Sequence, residues 1–208
     1  MSMTKEMTSG KPYKLILSFA IPLILGNVFQ QLYNMVDTVI VGKFVGVNAL
    51  AGVGSTGAIN FLVIGFALGI CSGFSIMIAQ RFGAGDYSGM RKFIANSIYL
   101  CIAVAVILTA VTMLLTKPIL TVMNTPKEIY DYAYNYIIII FAGISATMFY
   151  NILSGILRAV GDSRTPLIFL GVSSVLNVGL DLLCIIVFKM GVAGAGIATV
   201  ISQAISAF

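Results

Sequence analysis

The chain has 208 residues, of which 59% are hydrophobic and only 9% are charged, and its formal net charge is +5. A water-soluble domain carries about a quarter charged residues, so this composition excludes an ordinary soluble protein. The twelve Lys and Arg residues stand singly at the ends of apolar runs, without interleaved aromatic residues or a recognised motif, which argues against nucleic-acid binding.

The usual residues of enzyme and metal sites are missing from the sequence. It contains no His, and its three cysteines, Cys71, Cys101 and Cys184, lie inside apolar runs without the spacing of a metal or redox motif. Metal and Ser-His catalysis therefore lack their ligands and bases. We expect no enzyme activity and no cofactor, and we expect the cysteines to be small buried apolar residues.

The apolar runs are long enough to cross a lipid bilayer, which requires about 20 residues per helix. After a polar cytoplasmic segment at residues 1–14, the sequence predicts a transmembrane lobe of six helices at residues 15–208. In chain order the predicted spans are 15–41, 49–80, 93–115, 133–157, 167–188 and 192–208. The first run is too long for a signal peptide, and Pro22 is a natural place for it to bend.

The carboxyl end of the sequence is apolar up to Phe208, with no Gly, polar cap or basic residue after it. A helix end usually shows such a signal. We therefore expect the chain to stop within a longer protein; the alternative is a short helix that ends at the membrane interface.

The basic residues predict the orientation in the membrane. If the six spans alternate in direction, four basic residues fall on one side: Lys43, Lys117, Lys127 and Lys189. Eight fall on the other: Lys5, Lys11, Lys14, Arg81, Arg91, Lys92, Arg158 and Arg164. Because cytoplasmic loops carry the excess of Lys and Arg, the amino terminus is predicted to lie in the cytoplasm, with the protein in the plasma membrane.

Glycine recurs between apolar residues in the second predicted span. The six glycines are Gly52, Gly54, Gly57, Gly65, Gly69 and Gly73. Small residues let membrane helices approach closely, so we expect most of them to serve close packing, with backbone flexing as a second role.

Two carboxylates, Asp37 and Asp181, lie inside predicted spans, where a charge facing lipid costs about 2.5–3.5 kcal/mol or more. No Lys or Arg lies within the predicted spans to neutralise them. Counted from the cytoplasmic ends of their helices, both lie beyond the middle of the bilayer, so we expect them to share one cavity. Asn177 precedes Asp181 by one helical turn and shares its face.

Further polar residues accompany these carboxylates. The first span carries Asn27, Gln30, Gln31, Tyr33, Asn34 and Thr38 at steps of three and four, which predicts a polar stripe on one face. The fourth and sixth spans add Tyr136, Asn151, Thr199 and Gln203. Taken singly, such residues could equally satisfy one another between helices. Together with the carboxylates they suit either proton uptake or a hard cation such as sodium, and the choice of ion stays open.

Four segments resemble the multidrug and toxic compound extrusion (MATE) family, in particular its bacterial DNA-damage-inducible branch. The first span, from IP at residues 21–22 to QQLYNMVDT at 30–38, is similar to the family's first helix with its acidic residue. The loops QRFGAGD at 80–86 and LRAVGDSRTP at 157–166 resemble its second and fourth connections. LNVGLD at 176–181 resembles its fifth helix, and the resemblance runs from about Ile16 to the end.

The resemblance implies an all-α integral membrane fold, with this chain as the six-helix amino-terminal lobe of a twelve-helix, two-lobed transporter. It implies a secondary active exporter that exchanges organic cations or drugs for protons or sodium. Its partners would be the lipid bilayer, these small molecules and the carboxy-terminal lobe, which lies outside this chain. The implied central cation-binding residues are Asp37, Asn177 and Asp181. Thr199 matches the family less specifically, but its oxygen would also suit a hard cation such as sodium, so we count it among the cation-binding residues. The supporting polar cavity would contain Gln30, Tyr33, Asn34, Tyr136, Asn151 and Gln203.

Two other functions are compatible with parts of the sequence. Flippases for lipid-linked saccharides share the wider superfamily architecture but line their cavity with basic residues, whereas the embedded charges here are acidic. A non-transporting membrane assembly subunit would explain the glycines but leaves the two buried carboxylates unexplained.

Overall fold

The computed structural model describes residues 11–207, and the regular secondary structure in this range is helical. The helices are α1 Pro12–Phe44, α2 Val47–Ser55, α3 Gly57–Gly83, α4 Tyr87–Val122, α5 Lys127–Ala142, α6 Ile144–Ala159, α7 Arg164–Leu182 and α8 Val192–Ser206. A π-helical turn, Leu183–Val187, extends α7. Most of the predicted amino-terminal segment, residues 1–14, and the last residue, Phe208, lie outside the described residues. Pro12 already opens α1.

The all-helical membrane fold predicted from composition is confirmed. By length and apolarity, α1, α3, α4 and α7 with its π-helical turn are able to cross a membrane. The pair α5 and α6 makes a fifth candidate span, bent by 46°. Helix α8 has 15 residues, fewer than the ~20 that a bilayer requires, so the count of six spans stays a prediction.

Two predicted spans are interrupted within continuous apolar sequence. The second divides at Thr56 into α2 and α3, and the fourth bends at Gly143 between α5 and α6. A Cβ atom on Gly143 would collide with the side chain of Val200 in α8. The missing side chain thus lets α8 pack against the bend. By contrast, α1 remains one helix through Pro22.

The helices pack as a closed lobe with α1 at its edge. Helix α1 packs mainly on α7, α7 on α8, and α8 on α5 and α6. Helix α6 contacts α3 and α4, while α2 packs on α5. A buried apolar cluster around Phe141 and Met148 joins α3 to α6, and Cys71 and Cys101 belong to it. All three cysteines are free and buried, which confirms the prediction made for them.

The two glycine-rich loops share one local structure. Gly85 and Gly161 have φ angles of 72° and 87°, in the left-handed region that glycine adopts readily. Each is followed by an aspartate whose side chain accepts a hydrogen bond from backbone N–H groups of the next helix. Asp86 accepts from Gly89, and Asp162 accepts from the first residues of α7. These caps satisfy donors that a helix start leaves free.

The two loops differ in their arginines. Arg81 Nη1 lies 2.6 Å from Asp86 Oδ2, both on the surface. The Gly89 N–H and the Arg81 guanidinium hold the pKa of the Asp86 carboxyl below its usual range. Arg158, which precedes the second loop, makes no such pair with Asp162; its Nε donates to the Ser154 carbonyl oxygen at 3.2 Å.

The expected role of the second-span glycines holds at one position only. A Cβ atom on Gly52 would lie 2.7 Å from Tyr132 Cβ and 3.1 Å from the Ile129 carbonyl oxygen, so α2 and α5 are in close contact there. At the other five glycines, a Cβ atom would meet nothing within 4 Å. Among the described residues, close packing is therefore found at Gly52 alone; Gly65, Gly69 and Gly73 lie on an exposed face of α3, and their role in packing stays a prediction.

The orientation is testable because α4 is one helix of 36 residues, or ~54 Å, so its two ends lie on opposite sides of the bilayer. Ser88 and Glu128 are exposed beside these ends. In intact cells, we expect an impermeant maleimide to label Glu128→Cys and to spare Ser88→Cys until the membrane is permeabilised. The native cysteines are buried and give a low background. Labelling of Ser88→Cys alone in intact cells would reverse the predicted orientation.

A second test concerns the contact between α2 and α5. Gly52→Ala should lower the melting temperature, because overpacking a tight contact costs about 1–3 kcal/mol. Gly69→Ala is the matched control, since it adds the same methyl group in open space and raises helix propensity. Unfolding is measured with a thiol-reactive dye that detects exposure of the buried cysteines. Equal melting temperatures for the two variants would contradict the contact.

Candidate functional site

Helices α1 and α7 bring the two predicted carboxylates together. Asp37 is 8% exposed and Asp181 is fully buried. The two carboxyl groups lie close enough to influence each other electrostatically. Directly after Asp181, α7 passes into the π-helical turn at Leu183–Val187, an irregularity frequent at functional sites. Because α1 packs mainly on α7, the carboxylate pair lies in the principal contact of α1.

Three further predicted residues contact or surround the pair. Asn177 is buried one turn before Asp181, and its Nδ2 donates to Thr199 Oγ1 of α8 at 3.4 Å. Tyr136 of α5 is buried within electrostatic range of both carboxylates. The structure thus assembles the predicted cluster from α1, α5, α7 and α8.

The cluster has more acceptors than donors. Asp37 Oδ1, Asn177 Oδ1 and both carboxylate oxygens of Asp181 are buried without a hydrogen-bond partner within the described range 11–207. Buried polar atoms in folded proteins are nearly always paired. The same part of the chain contains no group of three or more His, Cys, Asp or Glu residues suited to a metal ion. Chemically, four unpaired oxygens with two carboxylates suit a shared proton or a hard cation such as sodium.

A cavity of about 270 Å³ lies next to this cluster, between α1, α3, α6, α7 and α8. Four of the predicted supporting residues line it: Gln30, Tyr33, Asn151 and Gln203. The Tyr33 side chain lies close to those of Gln30 and Gln203. Tyr33 lies one turn before Asp37 and Gln203 one turn after Thr199, so this wall of the cavity adjoins the carboxylate cluster.

Thr147 completes this wall and was missed by the sequence analysis. Its Oγ1 donates to Gln203 Oε1 at 2.5 Å, and its carbonyl oxygen accepts from Asn151 Nδ2 at 2.8 Å. The one feature of the sequence that pointed to Thr147 was its position one turn before Asn151 on a predicted span. A single threonine in an apolar helix is too common to be selected on that ground.

The polar stripe predicted on α1 is divided in the structure between the cavity side and the outside of the lobe. Gln31, Asn34 and Thr38 are exposed and bond to one another, with Asn34 Nδ2 donating to Gln31 Oε1 at 3.3 Å and Thr38 Oγ1 to the Asn34 carbonyl at 2.8 Å. Asn34 does not line the cavity, although the sequence analysis placed it there. At 100° per residue, this exposed set is centred roughly a quarter turn from Gln30, Tyr33 and Asp37.

Arg158 is a second residue that the sequence analysis did not assign to the site. It was predicted to lie just beyond the fourth span, but it belongs to the last turn of α6, is half-buried and lines the cavity. Its charge does not neutralise the aspartates, since the side chain that it influences is that of Tyr150. Among the described residues, no Lys or Arg side chain therefore neutralises the two carboxylates. Arg158 does place a positive charge inside the lobe, which the sequence analysis did not expect.

A buried, unneutralised carboxylate pair beside a polar cavity in an all-helical membrane lobe is typical of transporters. The MatE family model matches residues 22–183, which is most of the chain. The chain therefore belongs to the MATE family. Members of this family are transporters and not enzymes.

Relatives and solved structures agree with this assignment. The "Probable multidrug resistance protein YpnP" of Bacillus subtilis strain 168 is 33% identical over 201 residues, covering 97% of this chain and 45% of that protein. An outward-facing multidrug resistance MATE family transporter of the MOP superfamily superposes with a TM-score of 0.89 at 31% identity, covering 95% of this chain and 44% of that one.

A third comparison is a MOP superfamily transporter from Pyrococcus furiosus Vc1, described as having a binding pocket of reversed polarity that suggests a different function. It superposes with a TM-score of 0.91 at 30% identity, covering all of this chain and 46% of that one. The present chain thus spans about half the length of the relatives and structures that it matches.

Proposed function

We propose that this chain is the amino-terminal lobe of a secondary active multidrug exporter, which exchanges organic cations or drugs for protons or sodium ions. The observation that carries the proposal is the buried cluster of unpaired oxygens around Asp37 and Asp181. The multidrug-resistance names of the relatives support the substrate class. The carboxy-terminal lobe would be supplied by the other half of a protein about twice as long.

The cluster provides a physical means of coupling. Two adjacent carboxylates repel each other when both are charged, and a proton or cation between them removes that repulsion. Because the pair lies between α1 and α7, its occupancy changes the energy of the main contact of α1. An ion drives a conformational change only if it binds the alternative conformations with different affinity, and a site between two helices meets that requirement.

Asn177 and Thr199 would add neutral oxygen ligands for sodium, whereas a proton needs only the carboxylates. The polar wall formed by Tyr33, Gln203 and Thr147 would separate this ion site from the adjoining cavity. We infer a plasma-membrane location with the amino terminus in the cytoplasm from the distribution of basic residues.

One observation favours the flippase alternative. Arg158 places a positive charge in the cavity wall, and basic residues suit substrates that carry phosphate. The charge balance of the buried cluster nevertheless favours cations, since two carboxylates there have no basic partner. A purely structural subunit would leave the unpaired oxygens without a role.

The test replaces each carboxylate by its isosteric amide. Asp37→Asn and Asp181→Asn should each reduce ion-driven export by about tenfold or more, a loss equivalent to ~1.4 kcal/mol of coupling free energy. The amide keeps the size and hydrogen-bonding capacity of the side chain, so folding should be preserved. The measurement is efflux of a fluorescent organic cation from vesicles with equal amounts of the two-lobed protein, driven by a proton or a sodium gradient.

Asp131→Asn is the matched control, because Asp131 is an exposed carboxylate of α5 away from the cluster. It should export at the wild-type rate. Wild-type efflux in both Asp37→Asn and Asp181→Asn would refute the coupling role. Comparison of the two gradients identifies the driving ion.

A further inference from the structure

The cavity beside the carboxylate cluster has a positively charged end that the proposed exporter function does not use. Arg158 is half-buried in its wall and is the one charged residue among those that line it. Within the described residues, the ion pair found is that between Arg81 and Asp86, so Arg158 has no carboxylate partner there. A partly buried guanidinium usually has an anionic partner, because charge removed from water must be compensated.

Comparison of the two glycine-rich loops shows that this arrangement is specific to the second loop. In the first, Arg81 bonds to the aspartate of its own loop. In the second, Asp162 is used by backbone N–H groups of α7, and Arg158 turns to the Ser154 carbonyl oxygen. Only the Nε of Arg158 donates to that oxygen, whereas a guanidinium has five N–H donors in all.

The surroundings of Arg158 suit an anion with an apolar body. Ser154, Ser163 and Tyr150 place hydroxyl groups in the same cavity wall. Leu167 and Leu170 of α7 supply an adjoining apolar wall. Arg158 lies in the last turn of α6, at the end of a membrane-spanning segment, which is the depth of phospholipid headgroups. Basic pockets between membrane helices on the cytoplasmic side bind such headgroups.

We propose that the end of the cavity around Arg158 is a binding site for a phosphate group, either free or as the headgroup of an anionic phospholipid. The guanidinium binds two phosphate oxygens in its planar fork, and the neighbouring hydroxyls donate to the others. This site is distinct from the carboxylate cluster. Thr147, which bonds to Gln203 at that end, precedes Arg158 on α6 by roughly three turns, or ~16 Å along the helix axis.

The test uses the purified full chain in a neutral detergent and three probes: inorganic phosphate, dioctanoyl phosphatidylglycerol and uncharged dioctanoylglycerol. Binding is measured as the rise in melting temperature, followed with a thiol-reactive dye at the buried cysteines. We expect phosphatidylglycerol to raise the melting temperature and dioctanoylglycerol to leave it unchanged. A rise with inorganic phosphate as well identifies a free anion as sufficient; a rise with phosphatidylglycerol alone identifies the lipid as the source.

Two variants locate the effect. Arg158→Gln should weaken phosphatidylglycerol binding by about tenfold or more, since the bidentate charged contact is lost. Arg164→Gln is the matched control, because it removes the same charge from an exposed position in the same loop. An unchanged affinity in Arg158→Gln, or an equal loss in both variants, would overturn the site.

A measurement on the unmutated protein keeps the proposal testable if Arg158→Gln does not fold. Phenylglyoxal modifies accessible arginines, and the modified peptides are quantified by mass spectrometry. Phosphatidylglycerol should protect Arg158 and leave the modification of Arg164 unchanged. Equal modification of Arg158 with and without the lipid would contradict the proposal.

Discussion

A carboxylate within a bilayer must face protein or water, and this constraint fixes how α1 is placed in the lobe. Helix α1 carries large apolar side chains around most of its circumference, including Ile16, Leu32, Met35 and Ile40. Apolar pattern alone therefore gives α1 no preferred face. Burial of Asp37 against Asp181 selects one, and the remaining contacts of α1 with α7 follow from that choice.

The constraint also explains why the polar groups of the lobe form connected sets. Lipid offers no hydrogen-bond partners, so Thr147 of α6 bonds to Gln203 of α8 across helices, and Asn151 bonds to the Thr147 carbonyl oxygen within α6. Exposed polar residues of α1 are satisfied locally instead, within their own helix. The oxygens of Asp37, Asn177 and Asp181 differ from this pattern, because they are buried, unpaired and grouped in one cluster, which suits a ligand site.

The sequence predicted the features that depend on composition and on charge in lipid: a helical membrane fold, buried cysteines and the meeting of Asp37 with Asp181. It could not predict features that depend on how helices meet. The bend at Gly143 depends on contact with Val200, 57 residues later in the chain, and the apolar composition on either side is the same. The close contact at Gly52 and the open space at Gly69 are likewise indistinguishable from the residue type alone.

The sequence also did not show which way each polar or charged residue of a helix faces. A stripe with steps of three and four spans a wide arc, so its members divide between faces once α1 has a neighbour on one side only. Arg158 was assigned to a loop because a charge ends an apolar run, yet its long side chain lets a helix-end position reach the interior. In α1 and α6, the neighbouring helices decide whether a polar residue faces the cavity or the outside of the lobe.

The interior of the lobe therefore has opposite charges at its two ends, and this separation sorts ligands by charge. Electrostatic interactions are several-fold stronger in partly buried surroundings than in water. A cation in the cavity is repelled from the end near Arg158 and attracted toward Asp37 and Asp181. A phosphate experiences the reverse. The proposed cation and anion sites would thus not compete for ligands, because the polar wall of Tyr33, Gln203 and Thr147 lies between the carboxylate cluster and the cavity.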